Sequence, residues 1–146
     1  MLRINKLKVQ RSFHVGDRWV FLKIYCKTKN QNAILEQVGK LIGKFTKDKK
    51  IQSWFFIRYA DPRYHLRLRF LLPESQQTNL ISEVFIGLRQ LLDNEIISGI
   101  ELDTYTRELE RYGEQSIEKI EDAFFHNSQM VLSLLKRKSF AGNLFG

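Results

Sequence analysis

A single cysteine, Cys26, is all the thiol chemistry this 146-residue chain has. One thiol excludes an internal disulfide and any multi-cysteine metal site, and Cys26 falls in a strand-like run where a small buried hydrophobe is the default. No apolar run reaches the length of a membrane helix. The basic start, MLRINKLKVQR, is followed by polar and aromatic residues rather than by the apolar stretch of a secretory signal. The expectation is a soluble, cytoplasmic protein with no membrane role. Repeats, low-complexity tracts and Pro/Gly/Ser linkers are lacking as well, which argues for one domain over residues 1–146. RNP, KH, zinc and helix-turn-helix signatures are missing too, so nucleic acid is the weakest partner class despite a net charge of +8.

What the chain does have is ample apolar content, 43% hydrophobic with 12% aromatic, enough for a buried core. Its 24 Lys and Arg against 16 Asp and Glu favour anionic partners. Part of that excess reads as solvated surface: Lys44, Lys47, Lys49 and Lys50 around a turn, the basic opening residues, and the run Lys136, Arg137, Lys138.

The hydrophobic pattern alternates between periods. WVFLKIYC (19–26) reads as a strand with Val20, Leu22 and Ile24 on one face. Ile34, Leu35, Val38, Leu41, Ile42 and Phe45 recur at helical spacing, with Asn30 and Asn32 as candidate caps. WFFIRY (54–59) and HLRLRF (65–70) form a hairpin about Asp61 and Pro62. After Pro73 a second helix carries the stripe Leu80, Ile81, Val84, Phe85, Leu88, Leu91 and Leu92. Around SGIELDTYTRE the period returns to two, with Ile100 and Leu102 alternating against Glu101 and Asp103. A last helix then runs from about Glu114 to Lys136, with Ile117, Ile120, Phe124, Val131 and Leu135. The order predicts an α+β fold, a ferredoxin-like βαββαβ antiparallel sheet with an added C-terminal helix. The apolar ending, with Phe140, Leu144 and Phe145, looks like surface that wants a partner.

Two segments concentrate charge. In HLRLRF, an extended backbone aims His65, Arg67 and Arg69 at one face and Leu66, Leu68 and Phe70 at the other. Adjacent guanidiniums repel, an arrangement easier to understand if a carboxylate or phosphate meets them. A solvated sheet face with snorkelling arginine stems is the alternative. The hairpin is expected to carry Arg58 close to this strand and enlarge one basic patch. His65 is open to two readings: a general base, against which nearby cations work by lowering its basicity, or a brace for the hairpin. His14 and His126 read as structural or exposed. The second segment, TYTRELERYG (104–113), brings Tyr105, Arg107, Glu108, Glu110, Arg111 and Tyr112 together. A carboxylate can hold a guanidinium in one direction for a substrate anion, or the cluster is a surface ion-pair patch.

Together these segments resemble a known family. WFFIRYADPRYHLRLRF, followed some forty residues later by TYTRELERYG, is similar to the SpaB-type C-terminal domain, also called the thiopeptide-type bacteriocin biosynthesis domain. RSFHVGDRWVFLKIYC resembles its usual beginning, and FFHNS (124–128) a later segment in which Asn127 stands where an Asp is usual. The likeness runs from about Arg11 to Leu135. The family domain is about twice as long, so the resemblance implies a chain truncated to its N-terminal half, without the later histidine associated with elimination. In lantibiotic dehydratases this domain eliminates glutamate from glutamylated Ser or Thr of a ribosomally made precursor peptide, giving dehydroamino acids. Stand-alone relatives form the pyridine ring of thiopeptides.

Carried over by position, the resemblance implies catalytic or substrate-binding roles for Arg67, Arg69, Glu108 and Arg111, with Arg58, His65 and Tyr112 in support at the substrate. The implied partners are the precursor peptide and either a glutamylating, dehydratase-type protein or the missing half-domain. A non-catalytic peptide-binding subunit and a pyridine-forming cyclase relative stand as alternatives. No metal or cofactor is expected, and the oligomeric state is open.

Overall fold

The computed structural model of the chain describes residues 9–48, 50–73 and 75–145, with side chains as far as Lys138. The basic opening residues, Lys49 and the side chains of the apolar ending lie outside what is described. In chain order the elements are β1 (Ser12–Phe13), β2 (Trp19–Cys26), α1 (Gln31–Lys47), β3 (Ser53–Tyr59), β4 (His65–Leu71) and α2 (Gln77–Asp93). They continue with β5 (Ile97–Asp103), β6 (Tyr105–Thr106), α3 (Leu109–Tyr112) and α4 (Ile117–Phe145).

Strands β2 to β5 form one antiparallel sheet in the order β3-β4-β2-β5. With α1 and α2 as the crossovers, this is the expected ferredoxin-like βαββαβ arrangement. Central β2 is buried on both faces because it alternates two apolar sets. Val20, Leu22 and Ile24 join Trp54, Leu66, Leu68 and Phe70 in the main core, beneath Ile34, Leu35 and Val38 of α1 and Leu80, Val84 and Leu88 of α2. Trp19 and Phe21 point the other way, into a second cluster with Phe13, Phe55 and Tyr105. That opposite face carries the site.

Several local expectations change. Asn30 holds the N-cap position of α1 but makes no side-chain cap hydrogen bond. Its φ and ψ, −97° and −9°, continue the 3-10 turn Thr28–Asn30 instead of the extended geometry a capping side chain needs. Asn32 instead accepts a bond from Arg58. On α2, Phe85 lies outside the buried stripe and is half exposed. The single fourth strand divides: β5 ends at Asp103, and β6 pairs instead with β1 through Ser12 with Thr106 and Phe13 with Tyr105.

α4 is longer than its pattern predicts and crosses the outer edge of β3. Phe124 packs on the second cluster, whereas Phe125, Leu132 and Leu135 pack on the main core. Between them buried Ser128 accepts the Phe56 backbone N–H at 3.1 Å, and Gln129 Oε1 accepts the Trp54 indole N–H at 3.3 Å. A helix thus covers an edge that would otherwise present unpaired backbone groups.

Candidate functional site

The period-two pattern of β4 puts His65, Arg67 and Arg69 on the face away from α1 and α2. Register sets Arg69 beside Phe21 and Phe55, Arg67 beside Lys23 and Ile57, and His65 beside Tyr25 and Tyr59. A solvated face is ruled out for two of the three, since His65 is fully buried and Arg69 is only 8% exposed. The Arg69 guanidinium carbon sits 4.5, 4.8 and 5.2 Å from the ring centres of Phe21, Tyr105 and Phe55. Its Nε has no hydrogen-bond partner among the described residues. Burial is the main reason that its pKa falls below the usual arginine value. An aromatic box can hold a cation but cannot replace the hydrogen bonds it had in water.

Arg67 lies 3.6 Å above the Tyr59 ring and donates from Nε to His65 Nε2 at 3.0 Å. His65 Nδ1 lies 2.8 Å from the Arg63 carbonyl, and its ring packs between Tyr25 and Tyr59. Both ring nitrogens are therefore engaged. Next to Arg67, Lys23 donates to Asp103 at 2.8 Å, and that bond chiefly holds the Asp103 carboxyl below its usual pKa.

The second segment divides into an anchor and a rim. Arg107 is buried and forms a two-pronged pair with Glu121 of α4, Nε to Oε2 at 2.9 Å and Nη2 to Oε1 at 2.7 Å. Tyr105 donates its hydroxyl to the same carboxylate at 2.6 Å, and Arg107 Nη1 donates to the Gln10 carbonyl. Burial, then the Glu121 charge, raises the Tyr105 pKa. For Arg107, burial opposes the charge but the Glu121 bond and charge outweigh it, so its pKa rises. Gly113, at φ 79° and ψ 154°, reverses the chain from α3 toward α4 in a conformation reserved for glycine. The anchor leaves Glu108, Arg111 and Tyr112 on the rim, with Arg111 Nη1 3.7 Å from Glu108 Oε2.

Floor and rim enclose a cleft of about 700 Å³. Arg67, Arg69, Glu108, Arg111 and Tyr112, distant in sequence, all line it, together with Lys23. His65 does not line it and lies beneath Arg67. The expected placement of Arg58 is corrected. Although its residue borders the cleft, its guanidinium turns to the helix face and donates to Gln31 and Asn32 at the start of α1. The reason is register: Arg58 pairs with Leu66, and directly paired residues share a face.

Sequence reasoning missed Glu121 as the partner of Arg107. The signal was its spacing: Ile117, Glu121, Phe124 and Ser128 fall on one face of α4, which makes Glu121 a carboxylate at core positions. Lys23 was also legible, by parity with Phe21. Of the remaining candidates, His14 is exposed and lies 3.3 Å from Thr104 Oγ1, His126 is exposed, and Cys26 is buried, with its thiol pKa raised by burial. Among the described residues no group of three or more His, Cys, Asp or Glu is placed to hold a metal ion, and no helix is long and apolar enough to cross a membrane.

Comparison with known proteins bears on this site. The family model for the C-terminal region of lantibiotic biosynthesis dehydratases matches residues 19–144. Subtilin biosynthesis protein SpaB of Bacillus subtilis is 30% identical over 120 residues, which cover 81% of this chain and 12% of SpaB. Nisin biosynthesis protein NisB of Lactococcus lactis subsp. lactis is 28% identical over 147 residues, 92% of this chain and 13% of NisB. The crystal structure of the tRNA-dependent lantibiotic dehydratase MibB from Microbispora sp. 107891 matches with a TM-score of 0.72 at 31% identity, covering 85% of this chain and 12% of that one. The chain thus spans 12–13% of the length of these relatives.

Proposed function

The chain belongs to the C-terminal domain family of lantibiotic biosynthesis dehydratases, and from that membership we propose that its cleft binds the glutamyl group of a glutamylated Ser or Thr in a precursor peptide and promotes loss of glutamate. In this elimination a base removes the Cα proton of the modified residue. The Cα–H electron pair becomes the Cα=Cβ double bond of the dehydroamino acid as the Cβ–O bond breaks, and the Cβ–O pair leaves on the glutamate carboxylate. Charge develops on the leaving group, so fixed cations facing it lower the barrier.

One observation carries the reading: Arg69 is a buried guanidinium in an aromatic box whose Nε has no hydrogen-bond partner among the described residues, in a cleft shared with Arg67 and Arg111. A desolvated cation without a counter-ion is costly, and an anionic ligand offsets that cost. Arg69 meets the carboxylate at the floor and Arg67 beside it. Arg111 closes from the rim, with Glu108 orienting it or assisting proton transfer, and Tyr112 supports that rim.

The engagement of both His65 nitrogens favours a second reading for this chain on its own. Asp103 is committed to Lys23, so Glu108 is the described carboxylate on the cleft left for proton transfer. On this reading the chain binds the peptide and a partner chain supplies the base.

The test incubates the protein with a Ser/Thr-glutamylated precursor peptide, alone and with its glutamylating partner protein, and follows glutamate loss by mass spectrometry. Loss that disappears in Arg67→Ala and Arg111→Ala supports elimination at this cleft. Activity and peptide binding unchanged in both variants would overturn the assignment. Loss seen only with the partner present selects the second reading, and binding without loss even then selects a non-catalytic module.

A further inference from the structure

We propose that His65 is a positioning residue whose neutral, Nδ1-protonated ring holds the Arg67 guanidinium in its ligand-ready orientation. The inference rests on the anion-binding reading of the cleft but is argued from the hydrogen bonds beneath it. Arg67 Nε–H is only a donor, so His65 Nε2, 3.0 Å away, must offer a lone pair. The Arg63 carbonyl is only an acceptor, so Nδ1, 2.8 Å away, must carry the proton. The two neighbours leave one tautomer. It is also a poor candidate for taking a substrate proton, because its one lone pair is occupied and the residue is fully buried outside the cleft lining.

Arg67 needs such a hold. Its cross-strand neighbour is Lys23, a like charge, and stacking on Tyr59 at 3.6 Å leaves the guanidinium free to turn in its own plane. A bond at Nε fixes that rotation. The terminal nitrogens make no hydrogen bond to described residues and stay available to a carboxylate, whose two oxygens match a guanidinium fork. The ring itself is kept from tilting by Tyr25 and Tyr59, 5.0 and 5.6 Å away between ring centres. The motif HLRLR thus contains a positioner and the cation it positions, two residues apart on one strand face.

The experiment uses His65→Phe, which keeps the ring volume without an acceptor, and His65→Gln, whose amide oxygen reaches near the Nε2 position. Arg67→Lys identifies the Arg67 Nε–H signal in nitrogen-15 NMR of the whole chain. That signal should be protected from exchange in the parent protein and in His65→Gln, and lose protection in His65→Phe. The histidine nitrogen shifts should report Nδ1–H. In the glutamate-release assay, with the partner protein where needed, His65→Phe should lower kcat/KM about 100-fold, the cost of misplacing a binding group. His65→Gln should restore most of it. Added to Arg67→Ala, His65→Phe should cost less than about twofold more, because the two act as a unit. An Nε2-protonated ring, an Arg67 signal indifferent to His65→Phe, or losses that multiply in the double variant would each overturn the proposal. If the parent protein releases no glutamate, the elimination reading falls, and the NMR results alone decide the positioning. If His65→Phe fails to fold, the tautomer of the parent protein and His65→Gln still decide it.

Discussion

Two buried arginines beside the same tyrosine, Arg69 against the Tyr105 ring and Arg107 sharing Glu121 with its hydroxyl, should respond very differently to replacement by methionine. Arg107 is 3% exposed and is neutralised by Glu121, whereas Arg69 is 8% exposed, and no described carboxylate bonds it. Arg107→Met leaves the Glu121 carboxylate buried and uncompensated, a loss of about 3–5 kcal/mol. Arg69→Met orphans nothing. It gives up three cation–π contacts, each about 0.5–1 kcal/mol and up to about 2 when desolvated. Against this, it removes a desolvation penalty of several kcal/mol and gains sulfur–aromatic contacts of about 0.3–1.5 kcal/mol. The net change should lie within about 1 kcal/mol of zero. With a urea m-value of about 2 kcal/mol per molar, the unfolding midpoint should fall by about 2 M for Arg107→Met and by less than about 0.5 M for Arg69→Met. Urea melts followed by circular dichroism measure both. A midpoint drop for Arg69→Met equal to that of Arg107→Met would show that Arg69 is a structural cation, and the argument that it awaits an anion would fail. If the argument holds, Arg69→Met stays folded and loses glutamate release.

Gly113→Ala should cost about 1–3 kcal/mol from backbone strain alone, because a Cβ there meets nothing within 4 Å. Thermal unfolding checks this, and Gly113→Asn should recover little of the loss, because ψ 154° lies outside the left-handed helical region that Asn tolerates. Ser128→Ala removes the acceptor of the Phe56 N–H and should cost about 1–3 kcal/mol, with hydrogen exchange at Phe56 accelerating most. The raised Tyr105 pKa makes a linkage prediction: the folded state favours the protonated phenol, so that stabilisation is complete below the ordinary tyrosine value of about 10 and is lost as pH rises through the raised folded value. The stability advantage of the parent protein over Tyr105→Phe should therefore shrink above about pH 10, and an unchanging difference would contradict the buried hydroxyl.

The elements were legible where periodicity was strong. WVFLKIYC, HLRLRF and the Ile34 to Phe45 stripe each carry one unbroken period over two or more turns or pleats, and each folds as read. The Arg67 and Arg69 pair was legible for the same reason. Arg58 was not, because a hairpin brings strands together without stating which residues sit opposite, and that register decides the face. β1 and β6, of two residues each, are too short for any period. The Arg107 and Glu121 pair spans the reversal at Gly113, so neither residue is within the other's helix or strand spacing. His65 lay between two readings until its hydrogen-bond partners fixed both nitrogens.

Coverage of β3 by α4 gives the sheet a polarity. At one end Ser128 and Gln129 tie the helix to the outermost strand, so no further strand can join without displacing it. At the other end β5 pairs only with β2 among the described residues, and its last residue, Asp103, lines the cleft. Growth of this sheet, whether by a following segment, a second chain or an extended peptide, therefore has one direction open to it, and that direction begins at the border of the arginine cleft.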